Sequence, residues 1–300
     1  MKRPMFLSGL VAMLVAACGV AGPDVSTTMP AGPSPTVPST TLSPDPVPTV
    51  AVPDLAISAW LLIDEAGQEG RSGPFLVPVS RGAADGSSAA TAAMNALIAG
   101  PTGDESAAAP PLSSMIPAGS RLNEVTVEGG LATVDVGATF GLADDSAAAA
   151  VRVAQVVFTV TQFPTIGEVR FLVDGTPVEV QTSQGELVGR PVDRADYRDF
   201  QAMVSVDTPA HGGPGANPLR VTGEAAVFEA TFAYALTDND GLLLAEGHAM
   251  TAEGNTWAPF DFTIEYVVDE PQLGALIVWV DSAKDGSPVN VREYPVMLQP

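Results

Sequence analysis

The chain has 300 residues, with 13 Lys and Arg against 35 Asp and Glu and a formal net charge of −22 at pH 7. A surface this acidic repels the phosphates of nucleic acids and of anionic lipids, so nucleic-acid binding is disfavoured and membrane attachment cannot come from surface charge. Cys18 is the only cysteine, which rules out an intrachain disulfide; with 46% hydrophobic residues, stability has to come from apolar packing.

Lys2 and Arg3 precede an apolar run from Met5 to Ala17 that only Ser8 and Gly9 interrupt. About 13 apolar residues cannot cross ~30 Å of hydrocarbon, so residues 1–17 read as an export signal and not as a span. Ala16 and Ala17 directly before Cys18 resemble the lipobox of bacterial lipoproteins, with Val15 where leucine is more usual. The resemblance implies acylation of the Cys18 thiol and cleavage that makes it the first mature residue. Each buried acyl CH₂ contributes about 0.8 kcal/mol, and two or more chains give stable anchoring.

Residues 18–55 read as a linker. Gly19 to Asp54 holds nine prolines, ten Ser or Thr and no aromatic residue, too little apolar area to offset the entropy of ordering. The Pro spacing favours extended polyproline II, with a reach of roughly 110 Å at ~3.1 Å per residue.

Residues 56–199 read as a first domain with its own core. Ile57 to Ile63 and Pro74 to Val79 are apolar and bounded by Gly, Pro and Asp, as short strands are. Ser87 to Ala99 predicts a helix, with Met94, Leu97 and Ile98 on one face, a serine cap and a Gly100-Pro101 stop. Glu124 to Val136 predicts a hairpin turning at Gly129-Gly130, with Val127 facing Ala132 and Val125 facing Val134 on an apolar side. A second helix is expected from Asp145 to about Thr161, directing Val153, Val156, Val157 and Val160 to the core; Val169 to Val173 then turns at Asp174-Gly175 into Val178 to Val180.

Met94 to Pro101, Ile116 to Leu122, Ala132 to Val136 and Val173 to Gly175 together resemble the sporulation and spore-germination domain known as GerMN, and Pro191 to Tyr197 is similar to its closing segment. The resemblance implies a small α/β sheet with two helices on one face. It also implies likeness to ring-building domains that scaffold envelope complexes, without catalytic residues.

In residues 203–299, a second domain with its own core, helix signals vanish. Ala225 to Leu236 reads as one strand, with Phe228, Ala230, Phe232, Tyr234 and Leu236 sharing a face. Asp238 to Gly241 is a turn into Leu242 to Met250. Pro259 to Val267 alternates, Leu276 to Val280 is apolar on both faces, and Asp285-Gly286 turns the chain into Val289 to Leu298. About seven period-two strands predict an antiparallel β-sandwich without an inter-sheet disulfide. Thr208 to Ala210, Asn217 to Gly223, Val227 to Ala230 and Trp257 to Phe260 resemble the immunoglobulin-like domain of bacterial spore germination, which implies a binding or spacer module. The fold class is thus α+β with two domains: a small α/β sheet domain, then an all-β immunoglobulin-like sandwich.

Candidate chemistry is sparse. His211 and His248 are the only histidines, too few for a metal cluster, and no Gly-x-Ser-x-Gly elbow accompanies them. Asp238, Asn239 and Asp240 suit a hairpin turn better than a calcium loop. His211 to Gly215 is glycine-rich but does not lead from a strand into a helix, so it reads as a loop and not a phosphate cradle. The acidic pairs Asp64-Glu65 and Asp144-Asp145 sit at element ends. Trp257, Phe260 and Trp279 read mainly as core, with Trp257 the more exposed.

The sequence therefore predicts a non-enzymatic lipoprotein on the extracytoplasmic face of the cell membrane, held by lipid on Cys18. No catalytic, metal or cofactor site is expected. It would act as a scaffold or binding module toward an envelope protein or the cell wall, with homo-oligomerisation open. A wall- or glycan-binding role, or that of an accessory subunit of an envelope enzyme or sensor kinase, is the alternative.

Overall fold

The computed structural model describes residues 57–64, 73–82, 87–142 and 146–300; Cys18, the signal and the linker lie outside them. The α+β region begins with β1 (Ile57–Ile63) and β2 (Phe75–Arg81), continues through α1 (Ala89–Ala99), α2 (Gly103–Ala107), β3 (Leu112–Ser113), β4 (Leu122–Glu128), β5 (Leu131–Val136), α3 (Ala147–Val160) and β6 (Glu168–Val173), and closes with the short strands β7 (Thr176–Pro177), β8 (Val180–Gln181) and β9 (Leu187–Val188) and a 3-10 turn over Arg194–Phe200. The all-β region comprises β10 (Val204–Thr208), β11 (Gly213–Pro214), β12 (Leu219–Ala225), β13 (Thr231–Thr237), β14 (Leu243–Met250), β15 (Ala258–Ile264), β16 (Gln272–Asp281) and β17 (Pro288–Leu298). No helix among the described residues is long and apolar enough to cross a membrane.

Local signals place α1 and α3 where the sequence predicts helices; α2, capped by Thr102, is a further short helix. Ser88 caps α1 by accepting from the Thr91 N–H, and Gly100, at φ 73°, ends it by donating to the Leu97 carbonyl. Ser146 caps α3 in the same way through the Ala149 N–H. The Gly129-Gly130 hairpin forms with Val127 opposite Ala132 and Val125 opposite Val134. Near its tip, however, Val127 is exposed. β5 pairs in parallel with β6 across the α3 crossover, giving the order β4-β5-β6-β7, while β2-β1-β3 forms a separate sheet.

Helix α3 is buried almost all round, including Gln155 and Thr159. These two have a specific task. β1 pairs with β2 along its whole length, but β3 covers its other edge only at Leu62 and Ile63. The remaining edge is satisfied by α3 and the residue just past it. Thr159 Oγ1 accepts from the Trp60 N–H at 3.0 Å, Gln155 Nε2 donates to the Trp60 carbonyl at 2.9 Å, and Gln162 bonds both backbone groups of Ser58. Buried strand edges need such partners, and residues spaced i, i+4, i+7 present them in one row.

The C-terminal region is the expected immunoglobulin-like sandwich, with sheets β10-β12-β15 and β11-β17-β16-β13-β14. Between the sheets pack Phe232, Leu236, Phe260, Leu276, Val278, Tyr294 and their neighbours. β10 carries a bulge after Val206, and Tyr294 from the opposite sheet repairs it: its hydroxyl accepts from the Val206 N–H and donates to the Val204 carbonyl. The predicted strand 225–236 is corrected. β12 ends at Ala225, residues 228–230 form a 3-10 turn, and Glu229 and Ala230 take positive φ of 54° and 59°. That turn swings Phe228 out of the core, leaving it 63% exposed.

The expectation of two separate cores is also corrected. One continuous cluster of buried side chains runs from Ala59 to Leu298 through both regions. The reason is backbone pairing across the junction. The His211 N–H donates to the Pro78 carbonyl at 2.7 Å and the Ser80 N–H to the His211 carbonyl at 3.3 Å, while the Gly212 and Gly215 N–H groups donate to Pro295 and Met297 on β17. The segment 211–215 thus lies between β2 and β17 and joins one sheet from each region. A side chain at Gly213 would come within 3.0 Å of the Ala210 carbonyl and 3.1 Å of Ser80 Cβ, so the close approach needs glycine. Nearby, Arg292 is buried and donates to the Leu76 carbonyl, tying β17 to β2 a second time.

Packing is tightest at Gly223, in the middle strand of its sheet, where an added Cβ would lie 2.1 Å from the Ser205 carbonyl. Gly223→Ala is expected to cost about 3 kcal/mol, read as a fall in the urea midpoint. At Gly167, where an added Cβ meets nothing within 4 Å, alanine should change stability by less than about 0.5 kcal/mol.

Candidate functional site

Three sites gather polar or aromatic side chains. The first draws on the segments that carry the GerMN resemblance. Arg121 Nη2 donates to Asp174 Oδ1 at 2.6 Å, and Asn123 Nδ2 donates to Asp174 Oδ1 at 3.3 Å and to Asp135 Oδ1 at 3.2 Å. The Ala138 N–H closes onto Asp174 Oδ2 at 3.2 Å. Asp174 sits at φ 47°, a left-handed position that Asp tolerates better than most residues. The Asn123 hydrogen bond, then those from Ala138 and Arg121, hold its carboxyl below the usual carboxylate range. This exposed cluster ties the segment before β4 to the ends of β5 and β6.

The second site is a cleft of about 680 Å³ between the two regions, whose walls include Arg194, Arg198, Asp207, Arg220, Glu224 and Asp261. The closing turn 194–200 supplies two of its arginines. The Arg194 guanidinium lies 5.0 Å from the Trp60 ring centre and 4.8 Å from that of Phe158, and donates to Asp207 Oδ2 at 2.6 Å and Thr161 Oγ1 at 3.0 Å. Stacked on two rings and paired across the junction, it acts as cation, platform and hydrogen-bond donor together. Burial outweighs Arg194 at Asp207 and pushes that carboxyl above its ordinary range.

Arg198 grips Glu224 with both terminal nitrogens, donates to Gln201 Oε1 at 2.7 Å and lies 4.9 Å over the Trp257 ring. Burial raises the Glu224 carboxyl pKa, but the Arg198 bonds outweigh it and leave the group below its ordinary value. Arg220 and Asp261 form a bidentate pair at 3.0 and 2.7 Å on the outer wall. Three of the cleft's carboxylates thus pair with its three arginines, while Asp193 caps the closing turn by accepting from the Ala195 N–H.

The third site is a cleft of about 500 Å³ at one end of the sandwich, lined by Phe228, Glu229, His248, Asp281 and Asn290 among others. Glu229, Ala230 and Asn290 all have positive φ here, a clustering of backbone strain typical of recognition sites. His248 Nε2 lies 3.6 Å from Asp281 Oδ2, and Trp279 Nε1 donates to Asp281 Oδ1 at 3.0 Å.

The structure does not bring His211 and His248 together. His211 is held at the junction, where burial and then Arg292 lower its pKa and keep it neutral, while His248 stands on β14. Among the described residues no three His, Cys, Asp or Glu side chains converge on a metal-sized site. Asp238 is explained by its turn, with Oδ1 accepting from the Asp240 and Leu242 N–H groups. Phe260 is core, 4.8 Å from Phe232. Trp257, expected to be exposed, is half-buried beneath Arg198, so the three aromatics form no shared platform. Cys18, Glu65, Asp144 and Asp145 lie outside the described residues. Sequence reading missed Arg194 and Arg198; their spacing of four beside the capping residue Asp193 was the available signal.

An α+β body closed by an arginine-bearing turn packs against an immunoglobulin-like sandwich in a two-part architecture. Residues 62–179 match the family described as sporulation and spore germination, and residues 203–287 match the immunoglobulin-like domain of bacterial spore germination. The chain therefore carries a sporulation- and germination-type module. Among solved structures it is similar to the tandem GerMN domains of the sporulation protein GerM from Bacillus subtilis, at 16% identity and TM-score 0.37 over 70% of this chain and 61% of that one. It is also similar to the first GerMN domain of that protein, at 22% identity and TM-score 0.29 over 41% of this chain and 86% of that one. A third similarity is to CopC from Methylosinus trichosporium OB3b, at 18% identity and TM-score 0.25 over 32% of this chain and 91% of that one. No curated protein matches the chain.

The Arg198–Glu224 pair makes stability depend on pH with a fixed sign. A carboxyl whose folded pKa is depressed stabilises above its unfolded value and loses that contribution as pH falls through the folded one. Glu224→Gln should therefore lower the urea midpoint at pH 7. The gap to the native chain should narrow as the pH falls through the folded-state pKa and close only below it, where both states bind the proton.

Proposed function

We propose that the chain is a non-enzymatic lipoprotein, anchored by lipid on Cys18 at the extracytoplasmic face of the cell membrane, whose two regions act together as a scaffold or binding module of sporulation or germination type. The observation that carries this reading is the backbone seam through residues 211–215, which makes one body of the two regions. A scaffold has to present surfaces at fixed spacing, and a jointed pair could not. The ion pairs of the inter-region cleft fit this role, since Arg194–Asp207 and Arg198–Glu224 both cross the junction. The two family matches point the same way.

A second reading, a wall- or glycan-binding module, draws on the sandwich-end cleft. Phe228 lines it together with Asp281 and His248, and sugars are recognised by such aromatic and polar mixtures. Retention of the intact protein on purified peptidoglycan, lost in Phe228→Ala, would favour it. Specific co-purification of an envelope protein from crosslinked cells favours the scaffold.

Anchoring has a direct test. Cys18→Ser should move the protein from the detergent-soluble membrane fraction to the aqueous fraction, since without acyl chains no apolar anchor remains. An unchanged distribution on fractionation would remove the lipid from this account.

A further inference from the structure

The five-stranded sheet ends on β14, whose outer edge receives no backbone hydrogen bond from any described residue. Open edges are usually blunted by lysine, proline or a bulge within the exposed stretch. β15 carries Pro259 and an Arg220–Asp261 pair, β10 is short and bulged, and β4 is bulged and presents Glu124 and Glu128. β14 has a register break of its own at Leu244, and beyond it residues 245–249, Ala-Glu-Gly-His-Ala, carry no lysine, no proline and no further break. Apolar exposure concentrates around the same strand. Val267 (82%), Met250 (68%) and Leu242 (65%) are the three most exposed large apolar residues among those described, and all three lie on or beside it.

We infer that β14 is a self-association edge, on which β14 of a second copy pairs antiparallel in a register centred on Gly247. Among registers centred on Glu246, Gly247 or His248, charge complementarity selects that one. Side chains alternate along a strand, so only registers centred on a residue keep outward side chains opposite outward ones. Centring on Glu246 opposes two carboxylates, and centring on His248 opposes two imidazoles. Centring on Gly247 sets Glu246 against His248 of the second copy, and His248 against its Glu246, a self-complementary arrangement that a two-fold axis requires. Ala245, Gly247 and Ala249 face inward and are small, so two backbones can meet without displacing side chains. His248 is already oriented by Asp281 from β16, with Glu229 also lining its cleft, while its β13 neighbour Ala233 is apolar. The product is one continuous ten-stranded sheet.

This deepens the scaffold reading by naming one partner, and the two can fail separately. A chain that stays monomeric yet still co-purifies with an envelope protein overturns only the edge. The test is sedimentation equilibrium of the full chain carrying C18S, over a concentration series. A concentration-dependent dimer is expected. H248E, which opposes like charges at both contacts, should raise the dimer dissociation constant at least about tenfold. Adding E246K to H248E reverses the polarity of both contacts and should restore dimerisation. Both positions are exposed, and a thermal melt of each variant checks that the monomer stays folded despite Asp281 beside position 248. A monomer at every concentration, or a dimer indifferent to both variants, overturns the inference, as does a double variant that fails to recover.

Discussion

The short segment from His211 to Gly215 is the constraint on which the rest of the architecture depends. It donates and accepts backbone hydrogen bonds with β2 on one side and donates to β17 on the other, so a sheet of the α+β region and a sheet of the sandwich share a strand-like seam. Once that seam forms, the apolar faces beneath it cannot remain separate, and the buried cluster becomes continuous. The arginines then act as locks on a contact the backbone has already defined. Arg194 and Arg198 from the closing turn reach Asp207 and Glu224 on the first two long strands of the sandwich, and Arg292 reaches back to Leu76. Desolvated ion pairs contribute little to stability when compared with apolar replacements, but they are costly to mismatch, so they specify one docking geometry.

The same logic governs the interior. An immersed strand edge is tolerated only if every N–H and C=O finds a partner. β1 meets that demand through Gln155, Thr159 and Gln162 in a row along α3, and β10 meets it through the hydroxyl of Tyr294. Neither solution is local in sequence: the partners lie 88 to 104 residues apart. Polar side chains in these cores are fastenings for backbone that the sheets leave open.

That distance explains what could and could not be read from the sequence. Features set by a few adjacent residues were legible: the Gly129-Gly130 turn and its register, the serine and glycine at the ends of α1, the valines of α3 and the alternation of β15. The family resemblances also located both regions. Features that depend on what arrives from afar were not. Period-two patterning through residues 225–236 could not show that Glu229 and Ala230 turn left-handed and expel Phe228. Trp257 looked accessible because Arg198, which covers it, comes from the other region. The glycine-rich run after His211 was recognisable as a loop, while its role between two sheets required knowing which strands flank it.

The position of β1 has a mechanical consequence. β1, which begins at Ile57, is flanked by β2 along its entire length and by α3 and β3 on its far edge. Tension arriving from the N-terminal side runs along that strand and must slide seven cross-strand pairs at once, instead of peeling them apart singly. Because β2 is sewn to β17, the load passes straight into the sandwich. A pull along β1 therefore reaches the sandwich through the backbone seam at residues 211–215.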